Sequence, residues 1–264
     1  MTTAARHWAD GLAGWGVPPE ILAAAPESPW GFQPSMFRAP DPAEVSAGPS
    51  LRLALEALPE GGALLDVGAG GGAASLPVAV AGRGGRVIAV DESADMLAAL
   101  GDRAEELGVD HVEVVGTWPD VAAEVPVADV VVCHHVFYNV AGLAPFALAL
   151  TDHARRRVVV ELTTTHPRSG QAWLWKHFHN LDRPEGPTAD DAVAVLGEAG
   201  LEVASEAFLA PPRAGRQRAE WVAQVRRALC LPAERDPEID GLLPAQSELG
   251  PRKVVALWWP GSAA

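Results

Sequence analysis

From residue 63 onward, short apolar runs alternate with segments of helical period. Ala63–Val67, Arg86–Val90, Val112–Val115, Val127–Cys133 and Arg157–Leu162 are dominated by Val, Leu, Ile and Ala, the pattern of strands buried on both faces. Between them lie helical segments: Ala73–Ala81, with Pro77 in its opening turns where a missing N–H matters least; a helix capped by Ser93, running to about Leu107 and closed by Gly108; and Ala141–Leu150. Such alternation predicts a parallel sheet with helices on both faces. After the fifth run the pattern breaks. The stretch Thr163–Pro187 carries no strand and is long for a plain connection, and its middle, Gly170–Leu181, suits a helix. Thr188-Ala189-Asp190-Asp191 has the form of a capping box opening a helix to about Ala199. Leu201–Leu209 reads as a sixth strand, Arg216–Leu229 as a helix with Trp221, Val225 and Leu229 on one face, and Arg252–Trp259 as a last strand. Upstream, Leu51, Leu55 and Leu58 mark a helix within Asp41–Leu58, ended by Gly61-Gly62. The first 40 residues, rich in Pro, Trp and Gly, are expected to form short helical turns and loops. There is no internal repeat.

Composition narrows the picture. A chain of 264 residues holds one large α/β domain. A formal charge of −14 repels phosphate backbones, which argues against a nucleic-acid partner. The one basic triplet, Arg155-Arg156-Arg157, precedes an apolar run and reads as a solvated strand entry. The two cysteines, Cys133 and Cys230, show neither metal-ligand spacing nor a disulfide framework, and Cys133 sits within an apolar run as a buried thiol. No stretch approaches 18 uninterrupted apolar residues and the N-terminus lacks an apolar secretory region. A soluble, cytoplasmic protein without a membrane span is expected.

The segment Leu64-Leu65-Asp66-Val67-Gly68-Ala69-Gly70-Gly71-Gly72 carries the strongest chemical signal. A tight strand-to-helix turn needs residues without Cβ, and the following helix points its N–H groups into the same space. No Gly-Lys-Ser/Thr follows, which excludes a phosphate-binding P-loop. Asp66, two residues before Gly68, would repel a dinucleotide pyrophosphate and attract an α-ammonium group. The next strand, Val87-Ile88-Ala89-Val90-Asp91, ends in a second carboxylate 25 positions after Asp66, placed to accept both hydroxyls of a ribose.

Residues Asp66–Gly72 resemble the Asp/Glu-x-Gly-x-Gly-x-Gly motif of class I S-adenosylmethionine (SAM)-dependent methyltransferases, and Asp91 with Glu92, Ser93 and Met96 is similar to that family's second motif. Val114-Val115-Gly116-Thr117-Trp118 looks like the segment flanking the adenine. Thr117 and Trp118 stand where many members carry an acidic residue, so Trp118 is expected to stack on the ring instead. Ala128–Val136 resembles the fourth strand and its exit loop. The resemblance spans roughly Asp41 to Leu209 plus the last strand. It implies a Rossmann-like, mostly parallel seven-stranded sheet of order 3-2-1-4-5-7-6 with an antiparallel last strand, and SAM as cofactor, with S-adenosyl-L-homocysteine (SAH) as product. It also implies a cofactor site made of Asp66, Gly68, Ala69, Gly70, Gly72, Asp91, Glu92, Met96, Thr117, Trp118 and His134. Residues 1–40 are then a cap segment and 41–264 the methyltransferase domain, with 163–187 an insertion acting as a substrate lid.

Methyl transfer from a sulfonium needs an in-line nucleophile and a shaped, dry pocket, and a base helps most when the acceptor is a hydroxyl. The exit loop His134-His135-Val136-Phe137-Tyr138-Asn139 should face the methyl. His135 and Tyr138 are the catalytic candidates, as base or as pocket wall. Asn139 and Asp129 do not form an acidic metal cluster, so no metal is expected, and the loop lacks the Asn/Asp-Pro-Pro-aromatic tetrad of DNA amino-methyltransferases. His166, Trp173 and His177 are the substrate-binding candidates; Trp173 and His177, four residues apart, share a helix face. The same residues suit simple packing, as do Trp8, Trp15, Trp30, Phe32 and Phe37 near the N-terminus. The overall expectation is a metal-independent methyltransferase with a small-molecule acceptor. The alternatives are a non-catalytic SAM-binding regulatory or structural protein, an NAD-dependent oxidoreductase, disfavoured by Asp66, and an aminopropyl transferase, for which no acidic polyamine signature is present.

Overall fold

A computed structural model describes residues 1–30, 39–41, 48–82, 85–211, 217–245 and 250–263. Seven strands, β1 (Ala63–Val67), β2 (Arg86–Asp91), β3 (His111–Val115), β4 (Ala128–His134), β5 (Ala154–Thr163), β6 (Ala204–Ala210) and β7 (Arg252–Pro260), form one sheet of order β3-β2-β1-β4-β5-β7-β6. β1 to β5 pair in parallel, and β7 runs antiparallel to both β5 and β6. The chain order reverses direction between β1 and β4, so their carboxyl ends flank the crevice where ligands bind in open α/β sheets.

Strand side chains alternate between two packed faces. Leu65, Val67, Ile88, Val131 and Cys133 join one core cluster, and Leu64, Val87, Ala89, Val130 and Val132 the other. Among the described residues there are ten helices: α1 (Thr3–Ala13), α2 (Pro19–Ala24), α3 (Pro49–Ala57), α4 (Ser75–Ala81), α5 (Ala94–Leu107), α6 (Leu143–Asp152), α7 (Ala172–His179), α8 (Ala189–Glu198), α9 (Arg218–Ala228) and α10 (Asp236–Leu242). Helices α1, α6 and α8 supply the first face, and α3, α4 and α5 the second. Capping follows the sequence signals. Ser93 accepts from Met96 N at the start of α5, Gly108 closes it in the left-handed conformation, and Thr188 and Asp191 form the expected reciprocal box on α8.

The N-terminal segment differs from expectation. Residues 3–13 form a regular eleven-residue helix, because Thr2 caps it and Ala5, Trp8 and Leu12 recur at helical spacing against the sheet-side core. Trp8 is fully buried. Phe32 and Phe37 lie outside the described residues, as does the first part of the helix expected from Asp41; its described portion is α3. Strand β6 begins at Ala204 rather than Leu201, because Leu201 N still bonds to Leu196 O in the turn that closes α8, where Gly200 has φ +87°. A third cluster joins Leu174 and Trp175 of α7 to Trp221, Val225 and Ile239 of α9 and α10, so the connection after β5 packs with the helices that separate β6 from β7.

Candidate active site

The turn after β1 is stitched to β2. Gly68 N and Ala69 N both donate to Val90 O, and Gly70 N donates to Asp91 Oδ2 at 2.9 Å. The other oxygen of Asp91 accepts from Ser93 N at 2.9 Å. Asp91 therefore braces both the glycine turn and the start of α5 while standing at the strand tip. Gly68 has φ +72°, and a Cβ there would lie 2.3 Å from Val136 Cγ2. The absence of a side chain lets the β1 turn press against the exit loop of β4, which brings the two halves of the crevice together.

Asp66 is completely buried, and neither of its carboxylate oxygens has a hydrogen-bond partner. Burial pushes it up to about 7, and the Asp91 charge adds to that, against the pull of the Ser75 hydroxyl and amide, which stop short of hydrogen-bond geometry. A buried carboxylate without a donor, next to a glycine cradle, fits a ligand that carries an ammonium group. Met96 is buried at the first turn of α5, whereas Glu92 and Thr117 are exposed at the tips of β2 and β3.

Trp118 requires a correction. It is only 6% exposed, edge-on to His153 at 4.8 Å, with its indole N–H toward Phe146 O, so it presents no face on which adenine could stack. An apolar residue three positions beyond the strand is drawn into the core cluster that holds Val131 and Phe146.

The exit loop separates its aromatic residues. His134 ends β4 half-buried, its Nε2 enclosed without a partner, and burial lowers it to about 4, so it is neutral. His135 follows with φ +61°, unusual for a residue with a side chain, and its backbone N–H donates to Glu161 O at 2.6 Å. Its Nε2 lies 3.3 Å from Glu161 Oε1, and Ser50 Oγ donates to Glu161 Oε2 at 2.7 Å. Burial alone would raise the Glu161 carboxyl; the His135 contact, the charges of both imidazoles and the Ser50 hydroxyl outweigh it and bring it down to about 2. Glu161 was missed in the sequence. Its signal was a lone carboxylate in the apolar run Val158-Val159-Val160-Glu161-Leu162, at the same end of the sheet as Asp66 and Asp91.

Tyr138 also departs from expectation. Its hydroxyl donates to Thr163 O at 2.7 Å, its ring stacks on Trp8 at 5.5 Å, and burial raises its pKa further above the ordinary phenol value. With its proton committed to a backbone carbonyl in a packed core, it is a strut between the exit loop and the end of β5 rather than a base. His166 is likewise packed, stacked on Trp15 at 4.2 Å and edge-on to Tyr138 at 5.4 Å, and burial with the Arg168 charge lowers it to about 4. His177 pairs with Glu238 at 2.9 Å and so ties α7 to α10, while Trp173 is 46% exposed on α7. Trp8 and Trp15 are anchors: their indole N–H groups donate to Val140 O and Gly186 O, both at 2.8 Å. Among the described residues, no three His, Cys, Asp or Glu side chains gather in a group able to hold a metal, and no helix is long and apolar enough to cross a membrane.

Residues 64–157 match a family model described as a methyltransferase domain. No match was found among curated proteins. Among solved structures, the chain is similar to a SAM-dependent methyltransferase from Geobacter sulfurreducens in complex with SAH, at 20% identity and a TM-score of 0.51, covering 92% of this chain and 98% of that one. It is similar to magnesium protoporphyrin IX methyltransferase from Synechocystis with bound SAH, at 19% identity and a TM-score of 0.50, covering 80% of this chain and 78% of that one. It also resembles the YcgJ protein from Bacillus subtilis, at 16% identity and a TM-score of 0.54, covering 81% and 99% of the two chains. The match to a methyltransferase domain thus covers the sheet from β1 to the start of β5, and the solved structures share the chain's fold.

Proposed function

We propose that this chain is a class I SAM-dependent methyltransferase that methylates a small organic acceptor at an oxygen or nitrogen that loses a proton, with His135 as the general base and no metal in the reaction. The observation that supports this reading most directly is the His135–Glu161–Ser50 arrangement at the carboxyl ends of β4 and β5, one residue before the Val136 that abuts Gly68. The ionised Glu161 favours the tautomer with the proton on Nε2, which leaves the Nδ1 lone pair free to accept the acceptor's proton. The bound cofactor supplies an electrophilic methyl group on a sulfonium. Asp66 would hold its ammonium group, the backbone of Gly68–Gly72 and Asp91 its ribose side, with Met96, Thr117, Glu92 and His134 lining the remainder. His134, neutral and enclosed, adds no competing positive charge beside the sulfonium. The segment 163–187, through α7, would cover the acceptor side, with Trp173 as its free aromatic surface.

The test is SAH release from SAM across a panel of phenols, carboxylic acids and amines, with wild type and His135→Asn. One acceptor class should turn over. The variant should lose about 10²- to 10⁴-fold in kcat, the range of general-base effects, while still binding SAM. A protein that binds SAM and releases no SAH with any acceptor would instead support a regulatory or structural role.

A further inference from the structure

Arg103 is a charged residue in an apolar place. It is buried on α5, whose Leu97, Leu100 and Ala104 belong to the core cluster on the α3 face of the sheet. Its Nη1 donates to Glu106 Oε2 at 2.8 Å, and its Nη2 donates to Pro40 O at 3.2 Å and to Asp41 Oδ1. Its Nε is enclosed without an acceptor. Both carboxylates are themselves exposed, so water would serve them in the arginine's absence. A buried guanidinium with one nitrogen unmatched contributes little net stability, and an apolar side chain of similar length would fill the same space at least as well. What the arginine adds is a hold on residues 40 and 41.

That hold reaches the glycine turn. Ala39 is buried in the same cluster as Ala69, and its N–H donates to Gly71 O at 3.2 Å. Gly72 N donates to Ala69 O at 3.0 Å, so the peptide joining Gly71 to Gly72 is clamped at both its carbonyl and its amide. The amides of Gly68, Ala69 and Gly70 are already committed, two to Val90 O and one to Asp91 Oδ2. The Gly71 N–H has no acceptor among the described residues. It is the donor that the turn leaves for a ligand, and it lies between one peptide held by Asp91 and another held by Ala39. Glycine adds no side-chain restraint of its own, so the direction of that N–H depends on the two clamps. We infer that Arg103, acting through residues 39–41, is a positioning residue for the cofactor: it fixes the Gly71–Gly72 peptide and so keeps the Gly71 N–H set to donate to the bound ligand. The inference rests on the SAM-binding reading above.

The experiment measures SAH affinity by calorimetry well below the melting temperature, alongside the melting temperature of the unliganded protein. Wild type should bind SAH. Arg103→Met should bind it roughly 2- to 30-fold more weakly, the scale of couplings carried by residues that do not touch the ligand, and should melt close to wild type. A merely structural arginine would show the reverse, a lower melting temperature with SAH affinity intact. Asp41→Asn changes an exposed side chain and should weaken SAH in the same direction; it decides the matter if Arg103→Met does not fold. Both substitutions act through one clasp, so the double variant should bind no more weakly than Arg103→Met alone. Unchanged affinity in Arg103→Met, or in Asp41→Asn where Arg103→Met does not fold, overturns the positioning role, and so does a double variant weaker than Arg103→Met. Wild type that binds no SAH overturns the methyltransferase reading and the clasp with it, whereas tight binding by wild type and variants alike overturns the clasp alone.

Discussion

His135 Nε2 stands 3.3 Å from Glu161 Oε1, and the same two residues are joined again by the bond from His135 N to Glu161 O. The double tie, with Ser50 on the second carboxylate oxygen, fixes both backbone and ring of a residue held in the left-handed region. With His135 as the proposed base, Glu161 takes the part of a positioning residue. Glu161→Gln is expected to lower kcat about tenfold at saturating acceptor while KM for SAM stays unchanged, a split that steady-state kinetics reads directly. The carboxyl also carries a stability signature. Its folded value, about 2, is below its ordinary 4.5, so the stabilisation is full above 4.5 and is lost as pH falls toward 2. Acid unfolding of the glutamine variant should be correspondingly less steep in that window.

Asp66 predicts the opposite sign. Its folded value of about 7 exceeds the ordinary 3.8, so its contribution to stability is present below 3.8 and is lost as pH rises through about 7. An ammonium group seated against it restores the charged form, so cofactor binding near pH 6 should release a proton. Calorimetry of SAH binding in buffers of different ionisation enthalpy should detect that release at pH 6, little of it at pH 8.5, and none in Asp66→Asn. Release that persists in the asparagine variant would remove Asp66 from the ammonium role.

What could be read from the sequence follows from the range of each interaction. The strand runs, the caps at Ser93 and Thr188 and the spacing of Asp66 and Asp91 are local patterns, and they reappear with boundaries shifted by a few residues at most. Glu161 and Ser50 were not legible, because 111 positions separate two residues that only the β5–α3 packing brings to 2.7 Å. The roles of Tyr138 and Trp118 failed for a related reason. Residue type marked each as chemically apt, but whether a ring faces a crevice or a core is settled by partners far along the chain, Trp8 and Thr163 for one and Phe146 and His153 for the other. The helix α1 is a different case: its apolar spacing was visible at Trp8 and Leu12, and the surrounding proline and glycine content masked it.

Gly68→Ala should be harmful for two separable reasons. The left-handed backbone disfavours a side chain by roughly 1–2 kcal/mol, and the new Cβ would meet Val136 Cγ2 at 2.3 Å. The variant is expected to melt lower and to bind SAM at least tenfold more weakly, because the turn must move off the exit loop. Adding Val136→Ala relieves the second cause only, so the double variant should recover part of the melting temperature. A double variant no better than Gly68→Ala would mean that backbone strain alone accounts for the loss.

The column Trp8–Tyr138–His166–Trp15 ties the first helix to the loops that follow β4 and β5, with ring separations of 5.5, 5.4 and 4.2 Å. Its members are buried and neutral, so their contribution is to hold those loops in place. Tyr138→Phe keeps the ring and removes the donor to Thr163 O, leaving a part-buried carbonyl unmatched at about 1–3 kcal/mol. Trp8→Ala empties a fully buried site and should destabilise by about 3–5 kcal/mol, with loss of the bond to Val140 O included in the effect. Denaturant unfolding measures both. The pH dependence of kcat separates this role from chemistry: Tyr138→Phe should lower stability and leave the shape of the profile intact, whereas His135→Asn should abolish its rising limb with little change in stability. A profile that loses the same limb in Tyr138→Phe would return the tyrosine to the proton-transfer path.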